Sequence, residues 1–402
     1  MKVLVINCGS SSLKFRLIET SDETVKVKGL FERIGSDKGH FVYTPTEGSK
    51  YEKDIPIPDH YEAVNILVGA LTDPETGVVK SLDEIDAVGH RIVHGGDKFS
   101  HAVILTPDAI KEIEKCAELA PIHNPVNLLG IRACMKYMPN TVMVGAFDTS
   151  FHQTMPEEAY LYGIPYEYYK RDRVRRYGFH GMSHEYVANE TAKLLNKPIE
   201  ETKIVTCHIG NGTSIAAVKG GKSIDTSMGF TPLAGVLMGT RSGGIDPEIV
   251  KYIAHAENKS LQEVMDILNN KSGLYGLSDN LSSDVRDLTD EYVKGNENAI
   301  RALKRLAYAI TKYIGSYYAV MGGIDAIAFT AGVGENSWLV RKLICERISG
   351  MGVTFDEKTN NEAHGTAMIS GPDSSIKVFV VPTDEEMSIA RQVVQTIKAD
   401  NN

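Results

Sequence analysis

Two stretches of this chain repeat one pattern, and the repeat constrains the fold more than anything else in the sequence. Lys203 to Val218 runs as a short apolar segment of strand length, breaks at Gly210 and Gly212, then resumes as a second apolar segment. The spacing predicts strand, tight turn, strand. A Gly-x-Gly turn has no Cβ atoms to hold a ligand away, and it leaves backbone N–H groups free to face an anion. The chain opens the same way, from Lys2 to Ile6, through Asn7-Cys8-Gly9-Ser10-Ser11-Ser12, and on from Leu13 to Ile18. With Gly9 laid on Gly210, both copies pass from lysine through apolar residues into a small-residue turn and back. The repeat predicts a duplicated α/β unit with a phosphate-contacting hairpin in each half. Read singly, either hairpin is equally an ordinary sheet turn, because glycine-rich turns occur in any sheet protein.

At 402 residues the chain is too long for one comfortable core, which predicts two or three domains. No run reaches the roughly 18 uninterrupted apolar residues of a membrane helix. The first residues lack a basic flank, a long apolar segment and a cleavage site, so no secretion signal is expected. Cys8, Cys116, Cys134, Cys207 and Cys345 are odd in number and scattered through apolar segments. They read as reduced core thiols in a cytoplasmic protein, not as a disulfide frame or a zinc site. The net charge of -9 argues against nucleic acid as the main partner. An anionic substrate must then be drawn in by local arginines.

Residues 21–60 are polar and turn-rich and read as peripheral strands and loops. Helical spacing covers Tyr61 to Leu71, Pro107 to Ala120, Pro125 to Tyr137 and, longest of all, Asn296 to Met321. Asp86 to Gly96 reads as a buried strand ending in a glycine turn. Thr141 to Phe147 reads as a strand that delivers Asp148 at its C-terminal end, where ligands sit in open α/β sheets. Pro156 to Arg176, rich in tyrosine and basic residues, reads as a surface connection. Beyond Gly178-Phe179-His180 a helix is expected to about Leu195 with Ser183 as its N-cap. Asp246 before Pro247 predicts a capped helix start, and Ser260 with Glu263 has capping-box spacing. Asp325 to Asn336 predicts a third strand and glycine turn, opening into a helix that runs to Ile348. Lys377 to Val381 closes the chain as a strand, before a last helix capped by Asp384.

Three glycine turns after strands suggest a nucleotide held between domains. There is no G-x-x-x-x-G-K-[ST], and no G-x-G-x-x-G opens a helix at residue 9, so a P-loop enzyme and a doubly wound NAD enzyme are both disfavoured. H-E-x-x-H is absent among the twelve histidines. Carboxylates and amides at turn ends, Asn7, Asp148 and Glu385, suit Mg²⁺, which prefers oxygen ligands and bridges to phosphates. Each is equally a turn cap. Phosphoryl transfer needs positive charge around the oxygens in flight. Arg91, His180 and Arg241 lie beside glycine or at strand ends, where they could supply it. The bland readings are an ion pair for Arg91, a satisfied turn histidine for His180 and a surface fork for Arg241. His90, His94, His123, His184 and His208 read as structural.

Six signatures in chain order, from residue 1 to about 391, resemble those of acetate kinases. They are Asn7-x-Gly9-Ser10-Ser11-Ser12-x-Lys14-Phe15, His90-Arg91-Ile-Val-His94-Gly-Gly, Gly178-Phe179-His180-Gly-x-Ser183-His184, Asp225-Thr-Ser-Met-Gly-Phe-Thr-Pro232, Met238-Gly-Thr-Arg241 and Phe329-Thr-x-Gly332-x-Gly334-Glu335-Asn336. The resemblance implies an α/β fold of two duplicated actin-like ATPase domains, ribonuclease H-like, with the nucleotide in the cleft between them. Expected boundaries are 1–150, joined by the C-terminal helix 385–402, and 151–384, which carries the nucleotide and the contacts of a homodimer. The implied reaction is ATP + acetate ⇌ ADP + acetyl phosphate with Mg²⁺, with Mn²⁺ as an expected substitute, by direct in-line transfer.

By the same resemblance Asn7 and Glu385 hold the metal, and Asp148 acts on protons or organises the metal. Arg91 fixes the acetate carboxylate, while His180 and Arg241 stabilise the transferring phosphoryl group. Val93, Ile122, Phe179 and Pro232 form the pocket for the methyl group. Ser10, Ser12 and Lys14, with His208, Ile209, Gly210, Asn211 and Gly212, attend the phosphates. Asp284, Val285 and Arg286, with Gly332, Val333, Gly334, Glu335 and Asn336, border the adenosine. Three departures stand out: Ile122 where leucine is usual, Asp279-Asn280 in place of a more glycine-like loop, and Ala234 where glutamate is common. A propionate kinase shares nearly every motif. A non-metabolic ATPase of the same fold is the different-class rival, although no spare peptide-binding domain is visible.

Overall fold

The computed structural model of the chain describes residues 1–400. It comprises two units, one of Met1–Phe151 with the C-terminal segment from Asp384, the other of His152–Thr383. Among the described residues no helix is long and apolar enough to cross a membrane.

The first unit is built on one eight-stranded sheet. Its strands are β1 (Lys2–Cys8), β2 (Ser12–Glu19), β3 (Thr24–Glu32), β4 (Ser36–Pro45), β5 (Tyr51–Ile57), β6 (Ala87–Ile92), β7 (Val103–Ile104) and β8 (Val142–Phe147). Their order is β5-β4-β3-β2-β1-β6-β8-β7, with β1, β6 and β8 parallel and the others antiparallel to their neighbours. The side-chain period of two separates the faces. Leu4, Ile6, Leu13, Phe15, Val88 and Ile92 point into a core shared with α1 (His60–Leu71) and α3 (Asn124–Tyr137), while α2 (Pro107–Lys115) adds Ile113. The polar-looking segment 21–60 contributes more core than its composition suggests. Phe31 and Phe41 stack with centroids 4.4 Å apart beside Phe15 and Tyr43.

On the opposite face the C-terminal helix Glu385–Asp400 lies across the parallel strands. Gly89 permits that approach, since a Cβ there would stand 2.8 Å from both Ile389 and Val393. Asp384 caps the helix by accepting from the Met387 N–H at 2.9 Å, as its position predicts.

The second unit repeats the plan. Its strands are β9 (Lys203–Ile209), β10 (Thr213–Lys219), β11 (Lys222–Thr226), β12 (Ala326–Thr330), β13 (Ala367–Met368) and β14 (Lys377–Val380), in the order β11-β10-β9-β12-β14-β13. In each sheet an antiparallel meander, of five strands in the first and three in the second, leads into two parallel strands, and a short antiparallel strand closes that end. The duplication read from Gly9 on Gly210 is therefore present in strand order, with the loop Gly210–Gly212 one residue shorter than Gly9–Ser12.

The connection after β8 forms two short helices, α4 (Glu157–Tyr160) and α5 (Glu167–Asp172), and then α6 (Gly181–Leu194) covers one face of the second sheet. Past β11 come α7 (Pro247–Ala256), α8 (Leu261–Asn270), α9 (Gly273–Leu277), α10 (Val285–Val293) and α11 (Glu297–Met321). Asp246 caps α7, and Ser260 with Glu263 makes the capping box of α8. Leu303, Leu306, Ile310, Ile314 and Tyr317 of α11 pack against Val205, Cys207, Ile215 and Phe329 of the sheet. The unit is completed by α12 (Ala331–Asn336), α13 (Trp338–Arg347) and α14 (Glu357–Glu362).

Two local expectations are corrected. The N-cap of α6 is His180, not Ser183. The helix starts earlier, which puts Ser183 in its first turn and fully buried. The segment after β12 is not a glycine turn. It is helical at once, through Ala331 at φ 64°, and Ser337 then breaks it and caps α13.

Candidate active site

In the first unit, alternation along β2 buries Leu13, Phe15 and Leu17 and turns Lys14 and Arg16 to the face that carries the C-terminal helix. Asn7 pairs with Lys14 across the β1–β2 ladder and so shares that face. Arg91, two residues beyond Gly89 on β6, points the same way. Its Nε and Nη2 donate to Asp148 Oδ1 and Oδ2 at 2.9 and 2.7 Å, and its Nη1 lies 3.9 Å from Glu385 Oε2. Burial opposes the charge on Arg91, but Asp148, then Glu385 and Glu386, outweigh it and raise the guanidinium pKa above its usual value.

The sequence reading passed over Arg16. It donates twice to Asp384 at 2.9 Å and lies 3.5 Å from Glu386, tying the start of the C-terminal helix to β2. Its in-out alternation with Phe15 and Leu17 was the available signal. Lys14 is exposed and has no hydrogen-bond or ion-pair partner among the described residues. Ser10 is exposed and Ser12 half-buried, in a loop closed by the Gly9 N–H donating to the Ser12 carbonyl at 2.8 Å.

Asn7, on this face of β1, and Glu385, 3.9 Å from Arg91 Nη1, are oxygen donors without a two-pronged ion pair among the described residues. Such hard donors fit Mg²⁺, which takes one or two protein ligands and completes its shell with water and phosphate oxygens. Among the described residues no group of three or more His, Cys, Asp or Glu could hold a metal.

Val93 lies half-buried just past β6, its N–H donating to Asn127 Oδ1 at 3.1 Å. Ile122, by contrast, is 71% exposed on the loop before α3. Within the first unit these two complete the placement of the expected residues.

In the second unit the Gly210–Gly212 loop is ringed by polar groups. Gly210 N–H donates to the Gly212 carbonyl at 3.0 Å, and Asn211 is exposed at the tip. The His180 ring stacks on His208 with centroids 4.0 Å apart, and a Cβ on Gly212 would stand 3.2 Å from His180. His208 Nδ1 is 2.8 Å from Ser183 Oγ, which is 2.9 Å from Thr383 Oγ1. Ile209 is buried in the core below the loop.

Arg241 donates Nη1 to the Pro232 carbonyl at 3.1 Å and has no carboxylate partner among the described residues. Burial pulls its pKa below the usual guanidinium value. A half-buried cation without a counterion is a ready anion site. Pro232 is thereby joined to Arg241. Phe179, 4% exposed, stands next to His180, and its carbonyl lies 3.0 Å from His152 Nε2.

The residues expected to border the nucleotide divide. Asp284 caps α10 and is gripped by Arg286, whose side chain is otherwise in solvent. Val285 is core. Gly332, Val333, Gly334, Glu335 and Asn336 form α12, held by Arg341 donating to the carbonyls of Gly334 and Glu335 at 3.0 and 2.7 Å. Glu335 Oε1 accepts from the Thr383 N–H at 3.2 Å, and Asn336 Nδ2 donates to the Gly332 carbonyl at 2.9 Å. A Cβ on Gly210 would lie 3.7 Å from Ala331, so the loop and α12 are neighbours, and Ser283 lies beside Gly239 near Asn211.

A profile of the Acetokinase family matches residues 2–391. The chain is similar to the acetate kinase of Agathobacter rectalis, with 54% identity over 398 residues covering 99% of this chain and 100% of the relative. It is similar to the acetate kinase of Bacillus subtilis at 53% identity over 397 residues, with 99% and 100% covered. Among solved structures, Porphyromonas gingivalis acetate kinase aligns with a TM-score of 0.93 at 45% identity, covering 98% of this chain and 99% of that one. A propionate kinase from Francisella tularensis aligns with a TM-score of 0.90 at 38% identity, covering 97% and 98%. On a match that spans almost its whole length, the chain belongs to the acetokinase family.

Proposed function

We propose that this protein is an acetate kinase, transferring the terminal phosphoryl group of ATP to acetate to give acetyl phosphate and ADP. The observation that carries the reading is family membership over residues 2–391, with the polar groups such a reaction needs present at the family's signature positions. A carboxylate is already a competent nucleophile, so no base is required. One acetate oxygen attacks the γ-phosphorus in line, the new C–O–P linkage forms, and the bond from phosphorus to the β,γ-bridging oxygen breaks with its electrons leaving on ADP.

Arg91, held in a fixed plane by Asp148, offers its outer edge to the acetate carboxylate. Arg241 and His180 place positive charge and an N–H at the phosphoryl oxygens. Lys14, Ser10, Ser12 and the loop His208 to Gly212 bind the remaining phosphates, and Asp284 to Arg286 with Gly332 to Asn336 border the adenosine. Val93, Ile122, Phe179 and Pro232 are the residues assigned to the methyl group by the family resemblance. Asn7 and Glu385 would hold Mg²⁺, which when bound would offset phosphate charge.

Mixing the protein with Mg-ATP, hydroxylamine and acetate, propionate or butyrate in turn tests the reading, because hydroxylamine traps acyl phosphates as coloured hydroxamates. Acetate is expected to give most product. No hydroxamate with any acid removes the kinase reading. A larger rate with propionate corrects the substrate, a margin that one methylene sets at roughly 1–3 kcal/mol. Equal ATP hydrolysis with and without acetate would favour the non-metabolic ATPase.

A cytoplasmic location belongs to the same reading and is supported by five free, buried cysteines. So does a homodimer through the second unit, supported by Ile249, Tyr252 and Leu261 exposed on the paired helices α7 and α8. Light scattering at two concentrations tests the latter.

A further inference from the structure

His180 sits at the N-terminal cap of α6 in the left-handed region, at φ 58°. Its Nδ1 lies 2.9 Å from Ser214 Oγ, and its Nε2 is turned to the Gly210–Gly212 loop, 3.3 Å from where a Gly212 Cβ would stand. Ser214 Oγ also lies 2.7 Å from His184 Nε2, and His184 Nδ1 lies 2.6 Å from Thr206 Oγ1. Ser214, His184 and Thr206 are each 0% exposed. These four side chains, from β9, β10 and α6, form one unbroken row.

A hydroxyl carries a single hydrogen, so Ser214 donates to one imidazole and accepts from the other. The row can run in two directions. If His180 Nδ1–H donated to Ser214, then Ser214 would donate to His184 Nε2, and His184 Nδ1–H to Thr206. Among the described residues the Thr206 hydroxyl has no other partner than His184, so its own hydrogen would then be buried without an acceptor. In the other direction Thr206 donates to His184 Nδ1, His184 Nε2–H donates to Ser214, and Ser214 donates to His180 Nδ1. The three bonds then use the buried hydrogens of Thr206, His184 and Ser214, and the one hydrogen outside the row, His180 Nε2–H, faces the Gly210–Gly212 loop. This direction needs a neutral His184, and burial, with His152 and His208 adding to it, holds that ring's pKa well below its usual value. The other titratable rings in contact are His208, stacked on His180 at 4.0 Å, and His152, 5.6 Å from His184.

We propose that Thr206, His184 and Ser214 are positioning residues that hold His180 as its Nε2–H tautomer, so that a hydrogen-bond donor and not a lone pair faces the Gly210–Gly212 loop. The inference rests on the assignment of His180 to the transferring phosphoryl group, since only a donor there helps oxygens that carry negative charge. No proton needs to move, because the row sets the tautomer before substrate arrives.

Nitrogen NMR of protein labelled with ¹⁵N-histidine, with the His180 signals assigned by their loss in His180→Gln, reads the tautomer without any assay of activity. At neutral pH the expected spectrum has a pyridine-like Nδ1 and a pyrrole-like Nε2 for His180. The reverse pattern in the unmodified protein overturns the proposal, whatever any variant does. Thr206→Val and Ser214→Ala are expected to mix the His180 tautomers and lower kcat about tenfold or more, with both KM values within about twofold. Thr206→Ser, which keeps the hydroxyl, is expected to restore both. An unchanged spectrum in Ser214→Ala overturns the row. Mixed tautomers with unchanged kcat uphold the row and remove His180 from the transfer step, so failure of the two readings is told apart.

Discussion

Arg91 and Asp148 meet through two parallel hydrogen bonds of 2.9 and 2.7 Å, across a gap of 57 residues in the chain. The carboxylate side chain is 4% exposed and the guanidinium 22%. Both oxygens of Asp148 thus accept from one arginine, and the pair of bonds fixes the plane of the Arg91 guanidinium.

Arg91→Ala is expected to lower kcat/KM for acetate by about 10²-fold or more, since a preorganised charged donor is removed. Asp148→Asn, which keeps the shape but loses the ion pair, should raise the acetate KM and lower kcat while leaving the KM for ATP close to normal. Steady-state kinetics with each substrate varied checks both. An ATP-specific defect in Asp148→Asn would contradict the pairing argument.

Arg241 has no carboxylate partner among the described residues to leave stranded, so its removal separates function from stability. Arg241→Ala should lose about 10²-fold in kcat with a urea midpoint near that of the parent protein. Arg241→Lys, which lacks the planar fork, should recover only part of the rate. Near-normal turnover in Arg241→Ala would exclude it from the transfer step.

Glu385→Gln keeps an oxygen donor but removes its charge. The expected outcome is a several-fold rise in the Mg²⁺ concentration needed for half-maximal rate, and weaker Mg²⁺-dependent nucleotide binding by calorimetry. Chelation with EDTA should abolish activity in the parent protein and excess Mg²⁺ restore it. A rate indifferent to chelator would remove Asn7 and Glu385 from metal binding.

Gly89→Ala places a methyl group 2.8 Å from Ile389 and Val393. Overpacking of this kind costs about 1–3 kcal/mol, and here it lifts the C-terminal helix from the first sheet. Urea unfolding should show a lower midpoint at an unchanged slope. A midpoint equal to the parent's would mean that the helix shifts freely.

Burial pushes His90 down to about 3 and His94 and His152 to about 4, against 6.5 for an exposed imidazole. Between those values the unfolded chain binds more protons than the folded one. Stability is therefore full above about pH 6.5 and is lost as pH falls toward 4, by about 1.4 kcal/mol per pH unit for each such ring inside the window. Urea midpoints should be level above about pH 7 and fall steeply below about pH 6. A level profile throughout would mean that these rings are charged or hydrated in the native protein.

Much of the fold was legible in the residues. Strand-length apolar runs broken by glycine at Gly9 and Gly210 predict the paired hairpins, and caps at Asp246, Ser260 and Asp384 fall where short-range chemistry demands them. Ser183 misled because a serine before an amphipathic run reads as a cap. The tertiary structure instead buries its hydroxyl against His208, and the backbone turns three residues earlier, at His180. Gly332 and Gly334 misled for a related reason, since Arg341 ties the carbonyls of Gly334 and Glu335 into a helical turn that glycine alone would not choose.

The sequence by itself determined the duplicated units, their strand patterning and the residue types that phosphoryl transfer requires, because periodicity, caps and turns depend on neighbours a few residues away. Only the tertiary structure decided that Arg91 is gripped by Asp148, that Arg16 ties down the start of the C-terminal helix, and that Ser214 joins two histidines. Those contacts link residues 57, 368, 34 and 30 positions apart. Strand register and helix packing bring them together, and neither is written in any local stretch of chain.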